Sequence, residues 1–255
     1  MPFDFSALAG LGGPQLPWLA LAALGAGLVR GFAGFGAAMI FIPVASALID
    51  PKAAVILLFV IDGIATLPLL VPAVRICRWS EIMPLIVGAT LSVPLGVQVL
   101  VRMDPVLLRW IICGAILLAV AVMATGWRYS RRPSMPVTVG IGGMAGLTGG
   151  AASLSGPPVV LFWLGGQSAA PTVRANMIVF LGISTAIAGV AYWWNDLFTT
   201  GQIARSALLL PFYAAAIWLG ARSFRHASES LFRRLAFGLI TFTALGSLPV
   251  MDGIF

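Results

Sequence analysis

Two charged side chains stand where charge is expensive. Arg30 lies between Val29 and Gly31 in an apolar run, and Asp62 lies beside Gly63 near the middle of another. Ionisable residues at membrane depth are costly and, as a rule, mark a substrate or ion path. The Arg30 guanidinium offers a flat fork of N–H donors that matches the oxygens of a sulfonate or carboxylate. Asp62 is a candidate for proton coupling, or for pairing with an arginine such as Arg30. The plainer readings are snorkelling of Arg30 to the interface and a buried pair that only fixes packing.

Glycines and serines supply the other candidates. The first run reads Gly27-Leu-Val-Arg-Gly31-Phe-Ala-Gly34-Phe35-Gly36 and ends at Pro43. The second reads Gly140-Ile-Gly142-Gly143-Met-Ala-Gly146-Leu-Thr-Gly149-Gly150, then Ser153-Leu-Ser155-Gly156-Pro157-Pro158. Each interior glycine weakens a helix by about 1 kcal/mol. Both runs are therefore expected to hold a non-helical joint, with Arg30 in the first. A helix restarting after a joint presents free N–H groups and a positive dipole end, which suit an anion. Gly34, Phe35, Gly36, Ser153, Ser155 and Gly156 are the candidate substrate contacts at the joints. Arg174 and Asn176, opening the span after the second joint, join them. The competing readings are close helix packing through small residues, an ordinary topology charge at Arg174, and serines bonded to their own backbone.

These residues are positioned by a chain that cannot cover a watery surface. It has 255 residues, 60% hydrophobic and 9% charged, with a mean hydropathy of +1.03. Apolar stretches run over 15–49, 53–73, 82–101, 105–126, 136–167, 173–194, 203–221 and 232–250. Asp50-Pro51 and Asp104-Pro105 are helix-start signals. Stretches 15–49 and 136–167 are too long for one crossing. Each would reach roughly 50 Å as a straight helix, against a hydrocarbon core of about 30 Å.

Three ordinary spans follow each long stretch. The fold expected is therefore an all-α integral membrane protein with two inverted-topology repeats, residues 1–132 and 133–255. Each repeat is a broken helix or helical hairpin followed by three transmembrane helices. Charge supports the inversion. With hairpins at both long stretches, Arg75, Arg78, Arg128, Arg131, Arg132, Arg174, Arg222, Arg225, Arg233 and Arg234 all face the cytoplasm. Only Lys52, Arg102, Arg109 and Arg205 face out, as the positive-inside rule asks. Both termini then lie outside, and Trp79, Trp127, Trp193 and Trp194 fall near span ends.

Other classes find little support. The net charge of +7 reads as loop topology and lipid contact, not nucleic-acid binding. Cys77 and Cys113 have no metal spacing and read as free thiols, and the single histidine, His226, sits in a basic loop. No P-loop and no nucleophile–base pair is visible, so no cofactor, metal or enzymatic activity is expected. The N-terminus lacks the charged start of a secretory signal, its first basic residue being Arg30.

The chain resembles the sulfite exporter TauE/SafE family of membrane transporters. The resemblance rests on Gly27-x3-Gly31-x2-Gly34-x-Gly36 leading to Pro43, and on Gly146-Leu-Thr-Gly149-Gly150 followed by Ser155-Gly156-Pro157-Pro158. Val173-Arg174-Ala175-Asn176 is similar to the family as well, whereas Ala37 and Ala38 stand where members often carry glycines. The resemblance implies export of small sulfur-containing anions, such as sulfite and organosulfonates, across the bacterial inner membrane. The function expected is a secondary transporter of such anions, or of small carboxylates, working by alternating access. The alternative is a passive anion channel. The partners expected are the anion and membrane lipid, with a homodimer left open.

Overall fold

The computed structural model describes residues 13–125, 133–164, 169–223 and 229–250. Arg128, Arg131, Arg132, Arg225, His226, Trp127 and both termini lie outside them. The described residues form ten helices and no strand. They are α1 (Leu16–Ala33), α2 (Ala37–Leu48), α3 (Pro51–Ile76), α4 (Trp79–Arg102), α5 (Pro105–Ala124), α6 (Met135–Ala152), α7 (Gly156–Leu164), α8 (Ala170–Trp194), α9 (Thr200–Ser223) and α10 (Glu229–Gly246). Six of them, α1, α3, α4, α5, α8 and α9, are long and apolar enough to cross a membrane. The protein is a multi-pass membrane protein.

Local chemistry sets the helix starts. The Asp50 carboxylate accepts from the N–H groups of Lys52 (2.8 Å) and Ala53 (3.3 Å), with Pro51 at the first helical position of α3. Asp104 caps α5 in the same way, accepting from Val106 and Leu107 at 3.0 Å each. Each cap satisfies donors that a helix start leaves open and places a negative charge at the positive dipole end.

Both long apolar stretches are broken, at Gly34–Gly36 and at Ser153–Ser155. Two expectations need correction. Arg30 lies in the last turn of α1, not in the joint. The glycines from 140 to 150 do not interrupt α6, which is continuous from Met135 to Ala152. Their role is packing. A side chain at Gly142 would strike the Leu85 backbone, and one at Gly150 would strike the Val93 carbonyl. Such close backbone approach is how helices associate where no water drives them together. The arms are unequal. α1 and α6 have 18 residues each, whereas α2 has 12 and α7 has 9. At 1.5 Å per residue the first arms reach about 27 Å, close to a full crossing, and the second arms only about 18 and 14 Å.

The packing interlocks the two halves of the chain. α1 lies along α9, and α6 lies along α4. Glycines lie on both seams: Gly27 and Gly31 abut Tyr213 and Ile217, while Gly88 and Gly96 abut Val139 and Leu147. α9 also packs on α3, and α4 on α8. Between them α3 meets α8. Phe59 faces Gly189 and Tyr192, Gly63 faces Thr185, and Leu70 faces Gly182, so these two helices run antiparallel. α5 and α10 meet as well. Arg109, counted among the outward-facing charges, is buried in the first turns of α5 and donates to the Ser247 carbonyl just beyond α10 (2.8 Å). Large apolar side chains such as Leu67, Val71, Leu91, Leu95, Leu118 and Phe242 are exposed around the bundle. That surface suits lipid. Trp79, Trp193 and Trp194 are exposed at helix ends, where interfacial aromatics belong.

Candidate substrate-binding site

The first joint turns through Gly34 (φ 80°) and Gly36 (φ 94°), conformations that a side chain would strain. The Gly34 N–H returns to the Arg30 carbonyl (2.8 Å), which closes α1. α2 then starts at Gly36 with no side chain capping its N-terminus. The Met39 N–H turns back to the Gly36 carbonyl (3.1 Å), and the Ala37 and Ala38 amides before it have no side-chain cap. At the second joint Ser153 takes the left-handed conformation (φ 56°), and its N–H bonds the Gly149 carbonyl at 2.8 Å. α7 opens with Gly156, Pro157 and Pro158. The two prolines carry no N–H, so the second arm presents fewer backbone donors than the first.

The two joints meet. The side chain of Phe35 packs over Gly156. Behind this contact lies a cavity of about 60 Å³. It has room for roughly four to six waters, or for one small anion. The N-terminal turn of α2 (Gly36, Ala37, Ala38), the turn into α7 (Ser153, Ser155, Gly156), and the facing sides of α3 and α8 line it.

Arg30 and Asp62 reach the cavity as a pair. Arg30 Nε donates to Asp62 Oδ1 (2.9 Å) and Nη2 to Oδ2 (3.1 Å). Nη1 donates to the Gly34 carbonyl. Tyr213 of α9 completes the cluster, its hydroxyl donating to Asp62 Oδ1 at 2.6 Å. The Arg30 and Asp62 side chains are 5% and 17% exposed, so the pair is nearly withdrawn from solvent. A fork bonded on both oxygens is the strong form of this contact.

α8 supplies the opposite wall with Leu181, Ser184, Thr185, Ala188 and Tyr192. The Ser184 hydroxyl is buried and has no hydrogen-bond partner among the described residues. Buried polar atoms are normally paired, so this one calls for a ligand or water. The Tyr192 hydroxyl donates to the carbonyls of Gly150 (3.1 Å) and Gly149 (3.4 Å), tying α8 to the end of α6. Its ring stands edge-on to Phe59 at 5.4 Å.

The residues singled out from sequence therefore divide. Arg30, Gly36, Asp62, Ser153, Ser155 and Gly156 line one cavity. Gly34 and Phe35 sit beside it, Gly34 as the acceptor for Arg30. Arg174 does not line the cavity. Its Nη2 donates to the Gly31 carbonyl (2.7 Å), and its stem packs on Gly34. It thus neutralises the negative end of α1. Asn176 is fully buried elsewhere. Its Oδ1 accepts from the Arg78 N–H (2.8 Å) and its Nδ2 donates to Glu81 (2.9 Å), clamping the turn between α3 and α4. Tyr192, Tyr213, Ser184 and Thr185 were not anticipated. The signal available was a polar side chain inside an apolar span, which membrane interiors rarely tolerate without a task. Cys77 and Cys113 are free thiols.

Comparison with known proteins is consistent with this architecture. No curated protein and no solved structure matches the chain. Residues 19–247, nearly the whole chain, match the family described as Sulfite exporter TauE/SafE, and the protein belongs to that family of membrane transporters.

Proposed function

We infer that the protein is a secondary transporter that exports small oxyanions, sulfite or organosulfonates, across the bacterial inner membrane. The observation that carries this reading is the cavity where the two joints meet, with the open N-terminus of α2 and the Arg30 fork facing one small space. Intramembrane helix starts aimed at a central site are the usual way such proteins hold an anion. Both termini lie in the periplasm on this reading.

The packing supports an alternating-access cycle. The broken stretch of each half corresponds to that of the other, and α3 to α8. The antiparallel run of α3 against α8 supports inverted halves. The moving bodies are not the halves as they stand in the chain. α9 travels with α1 and α3, and α4 travels with α6 and α8. Glycines seat backbone against backbone on the α1–α9 and α4–α6 seams, and polar contacts tie Tyr213 to Asp62 and Asn176 to the start of α4. The side-chain contacts of α3 on α8 and the Arg174–Gly31 bond lie between the bodies and must shift. One further clamp is the Gln98–Asn195 hydrogen bond (3.0 Å), which holds α4 to the far end of α8. The substrate sits between the bodies, and rocking one on the other exposes it to either side.

The test is counterflow in proteoliposomes. Saturable exchange of sulfite or a small organosulfonate, abolished in Arg30→Gln, is the expected result. Exchange that persists in the variant would remove Arg30 from the site. Flux that neither saturates nor shows counterflow would point to a channel.

A further inference from the structure

The Arg30 charge is already matched. Nε and Nη2 are spent on the two oxygens of Asp62, the edge of the fork that an oxyanion would grip. Nη1 is held on the Gly34 carbonyl, so the guanidinium cannot turn another edge to the cavity without losing that bond. An anion entering beside an ionised Asp62 would place two negative charges against the one positive charge that lines the cavity, in a site with little solvent. Such an arrangement is strongly disfavoured.

We propose that the substrate anion takes the place of Asp62 on Arg30, and that Asp62 gives up that place as the neutral acid. One proton then travels with each monovalent anion. The inference rests on the transporter reading above and adds the coupling ion to it. The exchange is balanced. The Arg30–Asp62 ion pair, one anion and one proton become an Arg30–anion pair and an uncharged Asp62 carboxyl. The only bond formed is the O–H of that carboxyl, and the net charge of the site stays at zero throughout.

The surroundings of Asp62 leave the proton as the neutralising partner. From α1 it faces Arg30, and from α9 the Tyr213 hydroxyl. From α8 the cavity receives Ser184, Thr185 and Tyr192, all uncharged. Arg174, also on α8, is anchored on Gly31 and acts on Arg30 by charge. The lining residues of α2, α6 and α7 add no charged group. Tyr213 bonds Oδ1 and leaves Oδ2 to take the proton once Arg30 releases it. Tyr213 is thus a positioning residue. Linkage makes the effect reciprocal: protonation of Asp62 raises affinity for the anion by the factor by which the anion favours protonation.

The physiological consequence is electroneutral loss of acid. Empty and loaded sites carry the same charge, so the membrane potential does no work on the cycle. An accumulated anion leaves with its proton down their combined gradient.

The test uses the full chain in proteoliposomes with methanesulfonate, a strong-acid anion that carries no proton of its own. A pH dye reports the lumen, and a potassium gradient with valinomycin sets the potential. Counterflow without gradients first establishes transport. The inference expects one proton per methanesulfonate and no accumulation in response to potential. Asp62→Asn is expected to move the anion without a proton and to accumulate it about 50-fold per 100 mV. Wild-type flux without a proton, or wild-type accumulation driven by potential, overturns the inference and leaves the transporter reading standing. Loss of counterflow for every anion overturns both. The wild-type stoichiometry decides the matter even where Asp62→Asn fails to fold.

Discussion

At the first break the chain turns through two glycines, restarts with uncapped amides, and brings an ion pair to the cavity. At the second it turns through Ser153, restarts on two prolines, and brings hydroxyls. The surrounding scaffold is alike at both. Gly31 packs into the backbone of α9 as Gly150 packs into that of α4. The terminal carbonyls are tied from the two ends of one helix, Gly31 by Arg174 and Gly150 by Tyr192. A shared scaffold with different side chains divides the work. The first joint provides charge and strong donors, and the second provides shape and neutral hydrogen bonds.

The largest expected effect breaks the charged side alone. Arg30→Gln leaves Asp62 buried without its cation, a change worth about 3–5 kcal/mol. It should lower thermal stability in detergent sharply and abolish counterflow. Next comes the scaffold. Gly31→Ala and Gly150→Ala both drive a methyl into a partner backbone, and overpacking of this kind costs about 1–3 kcal/mol. Similar losses of melting temperature in the two would show that the joints share one frame. A loss confined to one would break the comparison.

Two smaller substitutions should act in opposite directions. Gly36→Ala imposes a left-handed side chain, at a cost of about 1–2 kcal/mol. Ser153→Gly relieves the same strain and should stabilise by up to about 1 kcal/mol. Denaturation in mild detergent would read both signs. An effect of similar size is expected for Tyr192→Phe, which removes a hydroxyl bonded to α6 and costs about 0.5–1.5 kcal/mol. It should loosen the second joint and leave proton stoichiometry unchanged.

Much of this architecture was legible in the residue order. Spans, breaks and Asp-Pro helix starts follow from apolar length and local backbone chemistry, and those are local properties. The pairing of Arg30 with Asp62 was legible in part, because two opposite charges in apolar runs must find partners. The position of the first break relative to Arg30 was not. Glycine in a membrane helix serves packing as readily as interruption, and Gly27 and Gly31 pack while Gly34 and Gly36 turn the chain. Tyr213 and Tyr192 were hidden for another reason. Their roles depend on which faces of distant helices meet, and one sequence does not encode that register in any local pattern. Asn176 shows the converse: a polar residue beside the second joint spends both ends of its amide on the α3–α4 turn.

The central claim is that the anion sits in the cavity between the joints. Ala38 lines that cavity at the start of α2 and bears no charge or hydrogen-bonding side chain. Ala38→Leu should fill the space and leave the Arg30–Asp62–Tyr213 cluster in place. Counterflow of sulfite and methanesulfonate should be compared between this variant and the wild type in proteoliposomes, at matched insertion and with thermal stability monitored. The account predicts exchange reduced at least tenfold in a protein that still folds. Wild-type exchange in the filled variant would contradict it and move the substrate site elsewhere.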